Sequence, residues 1–277
     1  MKKFLSVAAT FVLGSALLLA GCGSDQGNAA SGSDKRVTLT VGAAPVPHAE
    51  ILEQVKDKLA KEGVDLKIVE FSDYVKPNLA LHDKELDANF YQHIPFMKKF
   101  EEEHNMKFMS AGAVHIEPMG IYSNKIKDKN LQQSVPNGAK VAIPNDPTNT
   151  GRALQLLQQA GLITLKDPNN IYSTKLDIVG NPKNLDIIEL DAAQTPRSLS
   201  DVDLAVINAN YALGAQLNPL ADALFLDSKD SPYANLIAVR PGDENRPEIQ
   251  KLVKSIQSPE IKKFIEEKYK GAVLPAF

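Results

Sequence analysis

The chain has 277 residues, of which 43% are hydrophobic and 23% charged, and its 31 basic and 34 acidic side chains leave a formal net charge of −3. This balance excludes the clustered Lys and Arg of a nucleic-acid surface. Cys22 is the only cysteine, so an internal disulfide is excluded and stability must come from a buried core.

Lys2 and Lys3 precede an apolar run, Phe4 to Ala20, that ends in small residues. This is the layout of a secretory signal peptide over 1–21. The alternative is an uncleaved transmembrane helix, but the run is at the lower limit for a span and is split by Gly14-Ser15. Leu19-Ala20-Gly21-Cys22 resembles the bacterial lipobox, which implies cleavage before Cys22 and acylation of that residue with chains such as palmitate. The protein is then lipid-anchored to the cell membrane on its extracytoplasmic face, held by several kcal/mol of buried methylenes. Lys2 and Lys3 are the only charges in 1–21, so their removal leaves the mature chain at −5. Residues 22–35, rich in Gly, Ser, Asn, Asp and Ala, suit a flexible tether.

Strand and helix signals alternate from there. Val37, Leu39 and Val41 predict a strand, Ile51, Leu52, Val55 and Leu59 a helix, and Val64, Leu66 and Ile68 a second strand. Leu86 to Tyr91 predicts a third strand, followed by a helix carrying Phe96, Met97 and Phe100. Lys140 to Ile143 reads as a strand before a helix around Arg152 to Ala160, which Gly161 stops. Leu204 to Ile207 is a continuous apolar run, as expected of a strand covered on both faces. Ile249, Leu252, Val253 and Ile256 keep helical spacing, and Ser258-Pro259 opens a last helix in cap and N1 order. Such alternation predicts an α/β protein with mainly parallel sheets. Residues 36–277 are long for one lobe and natural for two. The chain is expected to cross between lobes near Ser123 and again near Tyr233 to Ile237, giving 36–123 plus 236–277 as one lobe and 124–235 as the other.

In open α/β sheets ligands collect beyond the carboxyl ends of strands. Three polar or aromatic clusters fall there: Asn89 to His93, Asn145 to Arg152, and Asn208 to Tyr211. Arg152, read as lying at a helix start, has two readings. It either joins free backbone amides in a two-pronged carboxylate site or points to solvent. Taken singly, His93 reads as a structural histidine, Tyr74, Phe90 and Tyr91 as core, and the asparagines as helix caps. Enzyme signals are weak: there is no Gly-x-Ser-x-Gly elbow, P-loop or His-Glu-x-x-His. Histidines 48, 82, 93, 104 and 115 show no metal-ligand spacing, and His115-x-Glu117 alone does not make a site. No catalytic residue, cofactor or metal is expected.

The segments LDANFYQHIPF (86–96), VAIPNDPTNTGRALQLLQQAGLITLKD (141–167), NPKNLDIIELDAAQTPRSLSDVDLAVINANYA (181–212) and SPYANLIAVR (231–240) resemble the NlpA/MetQ lipoproteins, substrate-binding subunits of methionine ABC importers. The resemblance covers essentially the whole mature chain. It implies a two-lobed fold like that of type II periplasmic binding proteins, closing around one amino acid, and a monomer that delivers methionine to an ABC permease with its separate ATPase subunit. Matched by motif, Asn149 and Arg152 belong to the Pro-Thr-Asn-x-x-Arg block, Asn208 follows the Ala-Val-Ile strand, and Asn235 lies in Tyr-x-Asn-Leu. Tyr74 sits in the Asp-Tyr-Val turn, and Tyr91 and His93 in the aromatic-Gln-His segment. The resemblance implies that Arg152 and the asparagines hold the ligand backbone, that the aromatics and His93 surround the thioether, and that Glu117 pairs with the ammonium. Position 91 is Tyr where some members carry Phe, which leaves the preferred ligand size open. The alternatives are a methionine-containing dipeptide or another apolar amino acid as ligand and, from another class, an exported hydrolase on a two-lobed scaffold.

Replacing the acylated thiol tests the anchor. Cys22→Ser is expected to abolish lipid labelling and to release the protein from the membrane fraction or leave the precursor uncleaved; unchanged labelling and processing would refute it.

Overall fold

The computed structural model describes residues 36–228 and 232–277; the signal peptide, Cys22 and the tether to 35 lie outside them. Strand β1 (Val37–Ala43) buries Leu39, Val41 and Ala43 at alternate positions, the period of a pleated strand. Helix α1 (Glu50–Lys61) follows and buries the expected stripe of Ile51, Leu52, Val55 and Leu59. It returns the chain to β2 (Val64–Glu70), parallel to β1 with Leu39 opposite Leu66. After α2 (Lys76–His82), β3 (Ala88–His93) pairs with the other edge of β1, again parallel, and all 6 of its residues are buried. Helix α3 (Ile94–His104) and β4 (Met109–Ile116) complete this half.

The chain then enters a second sheet through β5 (Gly120–Tyr122). There follow α4 (Leu131–Ser134), β6 (Lys140–Pro144), α5 (Pro147–Gln159), a small hairpin of β7 (Thr164–Leu165) with β8 (Ile178–Gly180), and β9 (Asp186–Leu190). Next come β10 (Leu204–Ile207), α6 (Ala209–Gly214), α7 (Pro219–Asp222) and β11 (Phe225–Leu226). The chain returns to the first sheet in β12 (Ala234–Val239) and finishes with α8 (Pro247–Ile256), α9 (Pro259–Tyr269) and β13 (Leu274–Pro275). Strand order is β13-β4-β12-β3-β1-β2 in the first sheet and β11-β5-β10-β6-β9 in the second. The two sheets and their helices pack as one unit. Among the described residues no helix is long and apolar enough to cross a membrane.

The α/β class is as expected, but the sheets are mixed rather than mainly parallel. Pairs β1–β2, β1–β3, β6–β9 and β6–β10 are parallel, whereas β12 runs antiparallel to both β3 and β4, and β5 antiparallel to β10 and β11. Parallel neighbours need a crossover connection, commonly a helix. β12 instead comes back from the other sheet, and its direction is not encoded in its own hydrophobic pattern. The first change of sheet falls between Ile116 and Gly120, one short strand ahead of the expected crossing near Ser123.

Each sheet is packed on both faces. In the first, Leu39, Val41 and Phe90 join Ile51, Leu52, Ile249 and Ile256 on one side, while Tyr91, Phe96, Met97, Phe100 and Leu236 pack on the other. In the second, Val141 and Val206 face Leu154 and Leu157, while Ala142, Ala205 and Ile207 face Tyr122 and Leu199. This two-sided burial accounts for the unbroken apolar run Leu204–Ile207.

Helix α5 starts at Pro147, one turn and more ahead of the expected Arg152. Asp146 caps it and Pro147 takes the N1 place, while Gly161, at φ +73°, follows its end. Within α5, Gly151 is where the helix meets the loop at Ile171: a Cβ there would collide with the Ile171 carbonyl. Alanine is otherwise the better helix former by about 1 kcal/mol. Gly151→Ala is nevertheless expected to destabilise by about 1–3 kcal/mol, read as a lower chemical-denaturation midpoint. A raised midpoint would mean that the loop yields without cost.

Candidate functional site

A cleft of about 350 Å³ brings together all eight residues predicted from sequence: Tyr74, Tyr91, His93, Glu117, Asn149, Arg152, Asn208 and Asn235. It lies beyond the carboxyl ends of β3, β6 and β10, where the connections to α3, α5 and α6 begin. Tyr91 and His93, two residues apart, share a face of β3, and Asn149 and Arg152, three apart, share a face of α5. Asn235 is in register with His93 on one side and His115 on the other. Gln92, Phe96, Ala209 and Asn210 also line the cleft. Gln92 and Asn210 belong to the clusters flagged in the sequence, whereas Phe96 carried only a helical-core signal.

Arg152 is neither at the start of α5 nor solvent-facing. It lies in the second turn and is 4% exposed. The helix amides assumed free are engaged, since the Asn149 amide donates to Asp146 Oδ1 at 3.0 Å. The guanidinium is held instead by Asp227, with Nε and Nη2 at 2.9 and 2.8 Å from Oδ2. Nη2 also donates to the Glu117 carbonyl at 2.7 Å, and the guanidinium carbon stands 4.3 Å from the centre of the Tyr233 ring. None of these hydrogen bonds uses Nη1. Asp227 carried no sequence signal, because it follows a two-residue strand far from α5 in the chain.

Glu117 lies on a histidine pair. His115 Nε2 is 2.6 Å and His48 Nε2 3.3 Å from Glu117 Oε1, and His48 Nε2 is also 3.0 Å from Asn235 Oδ1. Burial depresses His48 to a pKa of about 4, against the pull of Glu117, and His115 to about 3. Burial also holds His93 near 3, helped by the Arg152 charge. The same burial raises the Glu117 carboxyl, opposed by His48 and Arg152. With hydrogen on Nε2, a neutral His115 donates to Glu117 Oε1 and a neutral His48 to Asn235 Oδ1, and His48 stands beside the Glu117 carboxyl. The donor atoms of His48, His115 and Glu117 lie within 4.8 Å of one another, a cluster that could hold a metal ion and that linear spacing did not reveal. However, metal-bound histidines pass their other N–H to an acceptor. Here His115 Nδ1 is buried without a hydrogen-bond partner among the described residues. The set therefore fits an internal hydrogen-bond network better than a metal centre.

The remaining contacts close the cleft. Tyr74 Oη donates to Asn210 Oδ1 at 2.6 Å, and Tyr91 Oη to the Tyr74 carbonyl at 3.0 Å. Phe96 packs 5.9 Å, centre to centre, from both Tyr74 and Tyr91, which forms an aromatic wall. Asp146 and Asn149 hold Asn208, with Asn208 Nδ2 donating to Asn149 Oδ1 at 2.9 Å. The arrangement has charged and amide groups at one end and aromatic rings at the other.

A family model described as NlpA lipoprotein matches residues 39–277. The chain is 41% identical over 280 residues to the methionine-binding lipoprotein MetQ of Bacillus subtilis, covering 99% of each chain. It is 41% identical over 276 residues to the D-methionine-binding lipoprotein MetQ of Salmonella typhi, covering 98% of each. Among solved structures, a nutrient binding protein from Burkholderia cenocepacia bound to methionine superposes with a TM-score of 0.81 at 50% identity, covering 86% of this chain and 100% of that one.

The buried histidines generate a pH dependence. In the unfolded chain they take up protons below about pH 6.5, whereas His115 in the fold resists until about 3. The unfolded state therefore binds more protons in this window, and stability rises with pH across it. The contribution is complete above about 6.5 and is lost progressively as pH drops towards 3. The raised carboxyl of Glu117 acts in the opposite sense, so a variant isolates the histidine part. His115→Gln is expected to lower the melting temperature at pH 7 but to flatten its fall between pH 7 and 5. An unchanged slope would show that His115 titrates in the fold as it does in the unfolded chain.

Proposed function

The chain belongs to the NlpA lipoprotein family, and on that premise we propose that it captures methionine outside the cytoplasm and delivers it to an ABC permease with a separate ATPase subunit. The observation that carries this reading is the convergence of Tyr74, Tyr91, His93, Glu117, Asn149, Arg152, Asn208 and Asn235 on one small cleft with a polar and an aromatic end. The relatives are substrate-binding proteins rather than enzymes, which sets the hydrolase alternative aside. The protein is a membrane-anchored lipoprotein by family; attachment through Cys22 on the extracytoplasmic face, and a monomeric state, are part of the proposal. So is the division into two lobes, each built on one sheet, with the cleft between them.

Binding a zwitterion in a buried cleft requires both charges to be met, or desolvation costs several kcal/mol. We assign the ligand carboxylate to Arg152, which offers Nη1 beside the edge taken by Asp227, and to the asparagine amides. Glu117 and amide oxygens face the ammonium. Tyr74, Tyr91 and Phe96 take the thioether tail, whose burial contributes roughly 2–3 kcal/mol, with sulfur–ring contact adding to it.

Calorimetric titration of ligand-free protein tests the function: the unaltered chain is expected to bind methionine with heat at one site. Arg152→Ala should weaken binding by about 3–5 kcal/mol, since a buried carboxylate loses its charged partner. Because Asp227 also loses its partner, this variant should melt at a lower temperature when empty. Full affinity in Arg152→Ala would remove this arginine from the ligand site, and absence of binding by the unaltered chain would refute methionine as ligand.

A further inference from the structure

The direction of the hydrogen bonds in the cleft is set by a residue outside the predicted ligand shell. Asp146, the cap of α5, makes more bonds than a cap requires. Its Oδ1 accepts from the Asn149 amide at 3.0 Å and from Thr148 Oγ1 at 3.1 Å, and its two oxygens accept from Asn149 Nδ2 at 3.0 and 2.9 Å. Burial raises the Asp146 carboxyl while these donors oppose the shift; in its ionised form, which only accepts, it requires the NH₂ of Asn149 to face it. Asn149 Oδ1 then points away, and Asn208 Nδ2 donates to it at 2.9 Å. With its NH₂ committed, Asn208 can present only Oδ1. That oxygen is buried and has no hydrogen-bond partner among the described residues, while Asn208 lines the cleft. Reversing either asparagine would set NH₂ against NH₂ or oxygen against oxygen.

We propose that Asp146 is a positioning residue that acts through Asn149 to fix Asn208 Oδ1 as an acceptor for the ammonium group of an amino-acid ligand. This rests on the reading of the cleft as an amino-acid site. A buried acceptor without a partner costs about 1–3 kcal/mol, and the only strong donor on an amino acid with an apolar or thioether side chain is its ammonium. The other amide oxygens of the cleft are already used: Asn210 Oδ1 accepts from Tyr74 Oη, and Asn235 Oδ1 is bonded to His48. The His48 contact turns the NH₂ of Asn235 the other way, as a donor. Acceptor and donor therefore have separate places, and an amino acid can satisfy them in one orientation.

Asp146→Asn isolates this effect. Asparagine caps helices as well as aspartate and has nearly the same size, but its NH₂ can donate to Asn149 and let the relay reverse. The probes are methionine and 4-(methylthio)butanoate, the same molecule without the ammonium, each titrated calorimetrically or by competition. Asp146→Asn is expected to weaken methionine at least about tenfold while leaving 4-(methylthio)butanoate within about twofold. In the double variant Asp146→Asn with Asn208→Asp, the reversed amide of Asn149 again meets an acceptor, and the preference for methionine over the analogue should return. The double variant carries the comparison if the single one does not fold. Equal weakening of both probes, unchanged methionine affinity in Asp146→Asn, or no recovery in the double variant would each overturn the proposal. Failure of the unaltered protein to bind methionine would instead overturn the reading of the cleft, and the proposal with it.

Discussion

The buried guanidinium of Arg152 is the interaction on which the rest of the site depends. The chain changes sheets twice among the described residues, once around Glu117 and once between Leu226 and Ala234. Arg152 reaches both passages from α5: it holds the Glu117 carbonyl on the first, and Asp227 with the face of Tyr233 on the second. A buried ion pair is a poor source of net stability, because desolvating two charges offsets most of their attraction. Its value here is geometric. Losing either partner would leave an unpaired buried charge, at about 3–5 kcal/mol, so the two passages are held against one helix in a defined arrangement. The cleft walls inherit that definition.

The same constraint shapes ligand recognition. Because Asp227 takes one edge of the guanidinium, a carboxylate bound as proposed would meet an arginine that is already oriented and partly neutralised. It gains direction at Nη1 without facing a bare buried cation in the empty protein. This differs from an arginine that waits unpaired, and it ties affinity and fold stability to a single side chain.

Much of this was legible in the sequence where the signal is local. The clusters Asn89 to His93, Asn145 to Arg152 and Asn208 to Tyr211 mark strand ends because cap and turn chemistry is written in consecutive residues. The family resemblance then singled out the members that face the cleft. The start of α5 was also written locally, in Asp146-Pro147, a cap followed by proline at N1, but it was read one turn late. What could not be read was pairing across the sheets. His48, His115 and Asp227 reach the site through β12 returning antiparallel between β3 and β4, and through the sheet crossings. An apolar strand pattern specifies which faces are buried but carries no information about strand direction or partner. The first sheet is mixed because of that insertion, and the second because β5 runs antiparallel to β10 and β11.

Charge around the cleft favours a zwitterion over a simple organic acid. Glu117, Asp146 and Asp227 are carboxylates beside it, and Arg152 is the guanidinium that answers them. The imidazoles of His48, His93 and His115 add no positive charge, since burial keeps them neutral. Asp227 is matched by Arg152, and Asp146 by the Asn149 and Thr148 donors. Glu117 accepts from His115 and the Asn210 backbone and lies within the fields of His48 and Arg152. Burial raises both the Glu117 and the Asp146 carboxyls, Glu117 against the pull of His48 and Arg152 and Asp146 against its Asn149 and Thr148 donors. An amino acid brings its own cation and can place it near Glu117 and the Asn208 oxygen while its carboxylate lies by Arg152. In the proposed reading, the separation of those two ends would set the backbone orientation and leave the aromatic wall to select the side chain.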